Sequence, residues 1–95
     1  MIIGRFAVHC HPERADEMAA AMAAVEAPSR KLAGVPHFDI ARSLTDPNTF
    51  LAFEVFEDRT AFEQQNELSE VAAVLALAAD GAVIGDYEWT TWDVS

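Results

Sequence analysis

The run His37-Phe38-Asp39-Ile40-Ala41-Arg42, the tetrapeptide Asp46-Pro47-Asn48-Thr49, the run Phe50-Leu51-Ala52-Phe53-Glu54-Val55-Phe56 and the segment Asp58-Arg59-Thr60-Ala61-Phe62 together decide the fold. They read as strand, tight turn, strand and helix start. Asp46-Pro47-Asn48-Thr49 suits a type I turn, because Pro47 presets φ at the second position and Asn48 tolerates the bridge conformation that follows. The flanking strands are therefore expected to pair antiparallel.

Working outward, Ile2 to Cys10 is rich in β-formers and stops at Pro12, as a first strand should. Glu13 to Ala27 combines strong helix formers with Met18, Met22 and Val25 at helical spacing. Glu13, Asp16 and Glu17 lie near its positive end. Pro28 is expected to kink or end this helix, with Gly34 closing the segment. After the hairpin, Thr60-Ala61-Phe62-Glu63 matches a capping box, and Asp58 competes as the cap. Ser69 is expected to cap a further helical stretch, Glu70 to Ala79, that Asp80-Gly81 ends. Tyr87 to Val94 reads as the last strand, full of aromatic and β-branched residues.

The order β-α-β-β-α-β predicts a ferredoxin-like α+β plait: a four-stranded antiparallel sheet with both helices on one face, in a single domain over residues 1–95. The other sheet face is then uncovered. Phe50, Ala52 and Phe56 point to one side of the third strand, whereas Leu51, Phe53 and Val55 point to the other. Trp89 and Trp92 likewise point to opposite faces. A second copy of the chain packed sheet against sheet is the simplest cover, so a homodimer is expected.

Composition excludes several classes of function. The chain has 95 residues, 52% of them hydrophobic, enough for one small core. Sixteen acidic against six basic side chains give a net charge of −10, which repels phosphate backbones and anionic lipid headgroups, so neither nucleic acid nor membrane is an expected partner. No apolar stretch approaches the ~20 residues of a spanning helix. A single cysteine, Cys10, allows no internal disulfide. With no basic and apolar leader at the amino terminus, a reducing, cytoplasmic setting is expected.

Gly34-Val35-Pro36-His37-Phe38 leading into a strand, Asp46-Pro47 at the turn, Glu54-Val55-Phe56-Glu57-Asp58 and Ala61-Phe62 resemble the antibiotic biosynthesis monooxygenase domain family over nearly the whole chain. The resemblance implies a dimeric α+β barrel. It also implies cofactor-independent oxygenation of an anthrone, a quinol or another hydroxylated aromatic or polyketide-like molecule, with neither metal nor flavin. Two departures stand out: Phe56 occupies a position where relatives often carry Trp, and Gln64-Gln65-Asn66 occupies one where they often carry His. Strand one offers Phe6, Ala7 and Val8 where haem-degrading relatives carry Asn, so haem chemistry is not implied.

His9, well inside strand one, is a candidate proton acceptor near neutral pH; the competing reading is a structural, hydrogen-bonded histidine. Glu54 is the second candidate base. It sits among Phe50, Ala52 and Phe56, which raises a carboxylate pKa unless a cation is near. Because a lone buried charge is costly, Arg42 or Arg5 is the expected counter-ion, and an ion pair is favoured over a base. His9 and His11 share a face at a spacing open to metal binding, with His37 as a third donor, but no motif ties them together. Cys10 reads as a small buried residue.

Phe6, Phe56, Phe62, Tyr87, Trp89 and Trp92 are candidate walls for a planar substrate, and two or three of them are expected to line a cavity. Gln65 can orient a substrate oxygen but not take its proton. The leading expectation is thus a small oxygenase using His9 or Glu54. Its rivals are a non-catalytic dimer that binds a small molecule and an isomerase or cyclase using the same base.

Overall fold

A computed structural model describes residues 1–94. The strands are β1 (Ile2–His9), β2 (His37–Arg42), β3 (Thr49–Phe56) and β4 (Glu88–Asp93), and the helices are α1 (Ala15–Arg30), α2 (Arg59–Asn66) and α3 (Ser69–Ala79). The sheet order is β2-β3-β1-β4 with every pair antiparallel, as the ferredoxin-like plait requires. The helical half after the hairpin is split in two at Glu67-Leu68.

The hairpin closes as its sequence dictates. Thr49 N–H donates to the Asp46 carbonyl at 3.0 Å, and Asn48 N–H donates to the Asp46 carboxylate at 3.1 Å. The Thr49 hydroxyl donates to the same carboxylate at 2.6 Å, and these bonds, the hydroxyl first, hold the Asp46 pKa below its usual value.

Three local alternatives are resolved. Pro28 does not end α1, which runs on to Arg30. The helix loses one backbone donor there but keeps its last turn, because Ser29 is fully buried and the Arg30 guanidinium donates to Asp39 at 2.7 Å and to the Phe38 carbonyl at 3.0 Å. At α2 the cap is Asp58, whose carboxylate accepts from Ala61 N–H at 2.9 Å, rather than Thr60. Ser69 lies inside α3 at its first position, and Leu68, extended in backbone, is the capping residue.

Helix α1 buries Ala15, Met18, Met22, Val25 and Ser29, a 3-4-3-4 spacing that forms one continuous stripe. It packs on α3 and β2. Against it stand the even-numbered residues of the sheet: Val8, Phe38, Phe50 and Ala52 in the main core, and Ile2 and Phe56 with Ala61 in a smaller cluster beside it. Gly34, with φ of +81°, turns the chain from α1 into β2 at a place where a Cβ would come within 2.9 Å of Ala61.

The other sheet face carries Ile3, Leu51, Val55, Phe53 and Trp92, the last two each 47% exposed. No helix covers it. Among the described residues, no helix is long and apolar enough to cross a membrane.

Candidate functional site

A cavity of about 140 Å³ lies between the helix side of the sheet and the two longer helices. Its floor is Phe6, Phe38, Ile40, Ala52 and Glu54, and its roof is Met22 and Val25 of α1 with Val71 and Val74 of α3. Gln65 also lines it. The rim is made by Asn66, Leu75, Tyr87 and Trp89, the exposed members of the lining.

Register places Glu54 in this floor. It pairs with Phe38 on one side and with Gly4 on the other, so one neighbour is an aromatic ring and the other has no side chain. The Trp89 indole lies over the space thus left: a Cβ on Gly4 would come within 2.7 Å of the ring. Glu54 is 4% exposed, and burial alone pushes its pKa up to about 7. The expected counter-ion is not there. Arg5 is on the opposite face, directly across from Phe53. Arg42 pairs with Phe50, four residues along β3 from Glu54, and its guanidinium lies over that ring and donates to the Pro47 carbonyl. The ion-pair reading of Glu54 is therefore corrected.

The structure also separates the two candidate bases. His9 pairs with Thr49 and Glu54 with Gly4, so that odd-numbered residues of β1 share a face with odd-numbered residues of β3. His9 stands on the helix-free face, away from the cavity. There its Nδ1 lies 2.8 Å from the Thr49 hydroxyl and its Nε2 lies 3.4 Å from the Glu88 carboxylate. The Thr49 hydroxyl already donates to Asp46, so Nδ1–H is the donor to Thr49. His37 is on that face too, 2.7 Å from Asp39 and edge-on to Phe53. Cys10 is buried in the core, which raises its pKa. Among the described residues, no three His, Cys, Asp or Glu side chains are grouped to hold a metal.

Of the six aromatic candidates, Phe6, Tyr87 and Trp89 line the cavity. Phe6 lies 5.4 Å from Tyr87 and 6.2 Å from Trp89 between ring centres. Phe62 stacks on the far side of Trp89, 11° from parallel, and meets Phe56 edge-on at 5.4 Å. Phe56 and Phe62 thus support the wall without belonging to it, and Trp92 is on the opposite sheet face. Gln65 is 3% exposed, and its amide nitrogen donates to the Ser29 hydroxyl at 3.2 Å. That bond fixes the amide plane and leaves its carbonyl free to accept from a guest.

The roof residues Met22, Val25, Val71 and Val74 were invisible as site residues in the sequence, where their helical spacing reads as ordinary core. What the assembled site offers is one ionisable carboxyl, the amides of Gln65 and Asn66, the Tyr87 hydroxyl and flat apolar walls. It can grip a planar ring and exchange one proton with it.

The sequence profile of the antibiotic biosynthesis monooxygenase family matches residues 1–77. No curated protein sequence matches the chain. Among solved structures, a protein of Nitrosomonas europaea provisionally named an antibiotic biosynthesis monooxygenase superposes with a TM-score of 0.87 at 17% identity, covering 99% of this chain and 98% of its own. A Deinococcus radiodurans protein of the same provisional name gives 0.86 at 20% identity, covering 100% and 93%. Rv0793 from Mycobacterium tuberculosis gives 0.86 at 15% identity, covering 99% and 94%. At such identities these structures attest the fold, while the profile match, over most of the length, attests descent: the chain belongs to the antibiotic biosynthesis monooxygenase family.

Proposed function

We propose that this protein is a small cofactor-independent monooxygenase that takes a quinol, an anthrone or a related hydroxylated aromatic into the cavity, with Glu54 as the base. The observation that carries the reading is a buried carboxyl without a counter-ion, at a pKa near 7, in the floor of an aromatic-walled cavity. The ionised carboxylate removes a proton from the substrate and leaves an electron-rich carbanion or phenolate. The substrate then supplies four electrons to dioxygen. One oxygen atom forms the new carbon–oxygen bond; Glu54 returns the proton to the peroxide, and the O–O bond then breaks as the remaining hydrogen on that carbon leaves as a proton, its C–H electron pair forming the C=O bond and the departing hydroxide taking the proton to become water. Gln65 holds the substrate oxygen, and the surrounding apolar walls keep water from the anion.

Oxygen uptake with a panel of anthrones and hydroquinones tests this. The Glu54→Gln variant is expected to lose nearly all turnover, and equal rates in both proteins would remove Glu54 as the base. Gln65 and Phe56, standing where relatives often carry His and Trp, favour a second reading in which the cavity binds its ligand without changing it. A bound quinol recovered unmodified after long incubation in air would support that reading. Conversion that persists without oxygen would instead point to an isomerase or cyclase.

The bare sheet face fits the same proposal. Ile3, Leu51, Phe53, Val55 and Trp92 make an apolar surface suited to a second copy of the chain. Light scattering that gave only the 10.4 kDa monomer at micromolar concentration would contradict the homodimer. A cytoplasmic setting suits the single buried thiol of Cys10.

A further inference from the structure

The cavity is small for a three-ring substrate. At about 140 Å³ it is on the scale of the ~150 Å³ apolar cavity that holds benzene, so one ring fills it. A ring seated against Glu54 has floor and roof packed around it, and any substituent must leave past the rim. At that rim begins a second concavity, of about 330 Å³, lined by Leu75, Ala78 and Ala79 of α3 and by Val83, Asp86 and Tyr87 of the segment before β4. Leu75 and Tyr87 belong to both. The groove therefore adjoins the cavity at one shared pair of side chains.

Its chemistry selects what can lie there. Leu75, Ala78, Ala79 and Val83 offer aliphatic surface, and Asp86 is the one charged side chain. With Glu54 at the inner end and a net charge of −10 overall, an anionic arm is repelled. From Leu75 to Ala79 the helix advances about 6 Å, one turn. A straight alkyl chain of about five carbons spans that distance.

Resting on the functional reading above, we propose that the substrate is a single-ring quinol bearing a flexible, uncharged alkyl arm, its ring in the cavity and its arm in the groove between α3 and the segment before β4. Anaerobic calorimetry on the full chain with hydroquinone and its 2-alkyl derivatives tests this, turnover being blocked without oxygen. Affinity rises about twofold per methylene, the gain for a half-buried chain, and levels off after about five carbons. In the Ala79→Trp variant, whose indole fills the groove, the ratio of pentyl to unsubstituted affinity falls to near one. A chain carrying a terminal carboxylate binds no better than the parent ring. If the ring binds but the gain is absent, continues without a plateau or survives in Ala79→Trp, the groove proposal is overturned and the cavity reading stands. Tighter binding of an anthrone than of pentylhydroquinone overturns the single-ring limit. Binding of none of these compounds overturns both proposals.

Discussion

The two faces of the sheet are built from the same four strands and both carry large apolar side chains, yet the histidines of one and Glu54 of the other are treated in opposite ways. On the helix-free face every histidine has a partner: His9 has Thr49 and Glu88, and His37 has Asp39. These groups are also about half exposed, so such pairs contribute little to stability. On the helix-covered face, Glu54 is buried and has no ion-pair partner among the described residues. The paired groups read as structural, and the solitary one is the group to which the proposed chemistry is assigned, because a buried carboxyl without a counter-ion destabilises the fold.

The sharpest way to break this contrast is to neutralise Glu54. Glu54→Gln is expected to lower quinol turnover by roughly 10²- to 10⁴-fold, the contribution of a positioned base. The activity of the native protein should rise with pH through about 7, as the carboxyl ionises. Stability should move the other way. The folded-state pKa, about 7, lies above the ordinary 4.5, so the native state binds more protons than the unfolded chain between those values. The contribution of this group is fully present below pH 4.5 and is lost as pH rises through 7, a change of about 3 kcal/mol. Glu54→Gln should therefore melt roughly 10 °C or more above the native protein at pH 8 and close to it at pH 4. Equal melting at pH 8 would mean that the carboxyl is not desolvated.

Smaller effects probe the opposite face and the frame. Phe53→Arg places a charge in the middle of the bare face and should convert the proposed homodimer to a folded monomer, read by light scattering and circular dichroism. Asp58→Ala removes the cap of α2 and should cost about 1 kcal/mol in urea unfolding. His9→Ala should be the mildest, under about 1 kcal/mol, with oxygen uptake little changed. A large loss of turnover in His9→Ala would dissolve the contrast between the faces.

Much of the fold was legible because the decisive signals are local. Asp46-Pro47 sets the turn, the alternation from Phe50 to Phe56 sets a strand with two apolar faces, and Met18, Met22 and Val25 mark the buried stripe of α1. The candidate site was legible at Glu54 as a position only, since a carboxylate between Ala52 and Phe56 breaks its own apolar row whichever way that row points, while its expected ion pair was not met. His9 could not be placed in the same way. Ile2, Ile3, Phe6, Ala7 and Val8 make β1 apolar on both sides, so nothing in its own sequence says which parity meets the helices. Only the pairing with β3 decides that, and register is a long-range property. The missing counter-ion has the same origin, for Arg5 and Arg42 are placed by the pairing and by the hairpin turn. At Pro28 the sequence left a kink or an end open, and the helix runs on because tertiary anchors at Ser29 and Arg30 outweigh one lost backbone bond.

Gly4 touches no substrate and forms no part of the cavity lining, yet it governs how far the Trp89 indole can withdraw toward the sheet. A single methyl group there, in Gly4→Ala, would drive the ring outward and narrow the slot beside Glu54. The width of the chamber is thus controlled from behind its wall, and a change of guest size could be made in this scaffold without altering any atom that meets the guest.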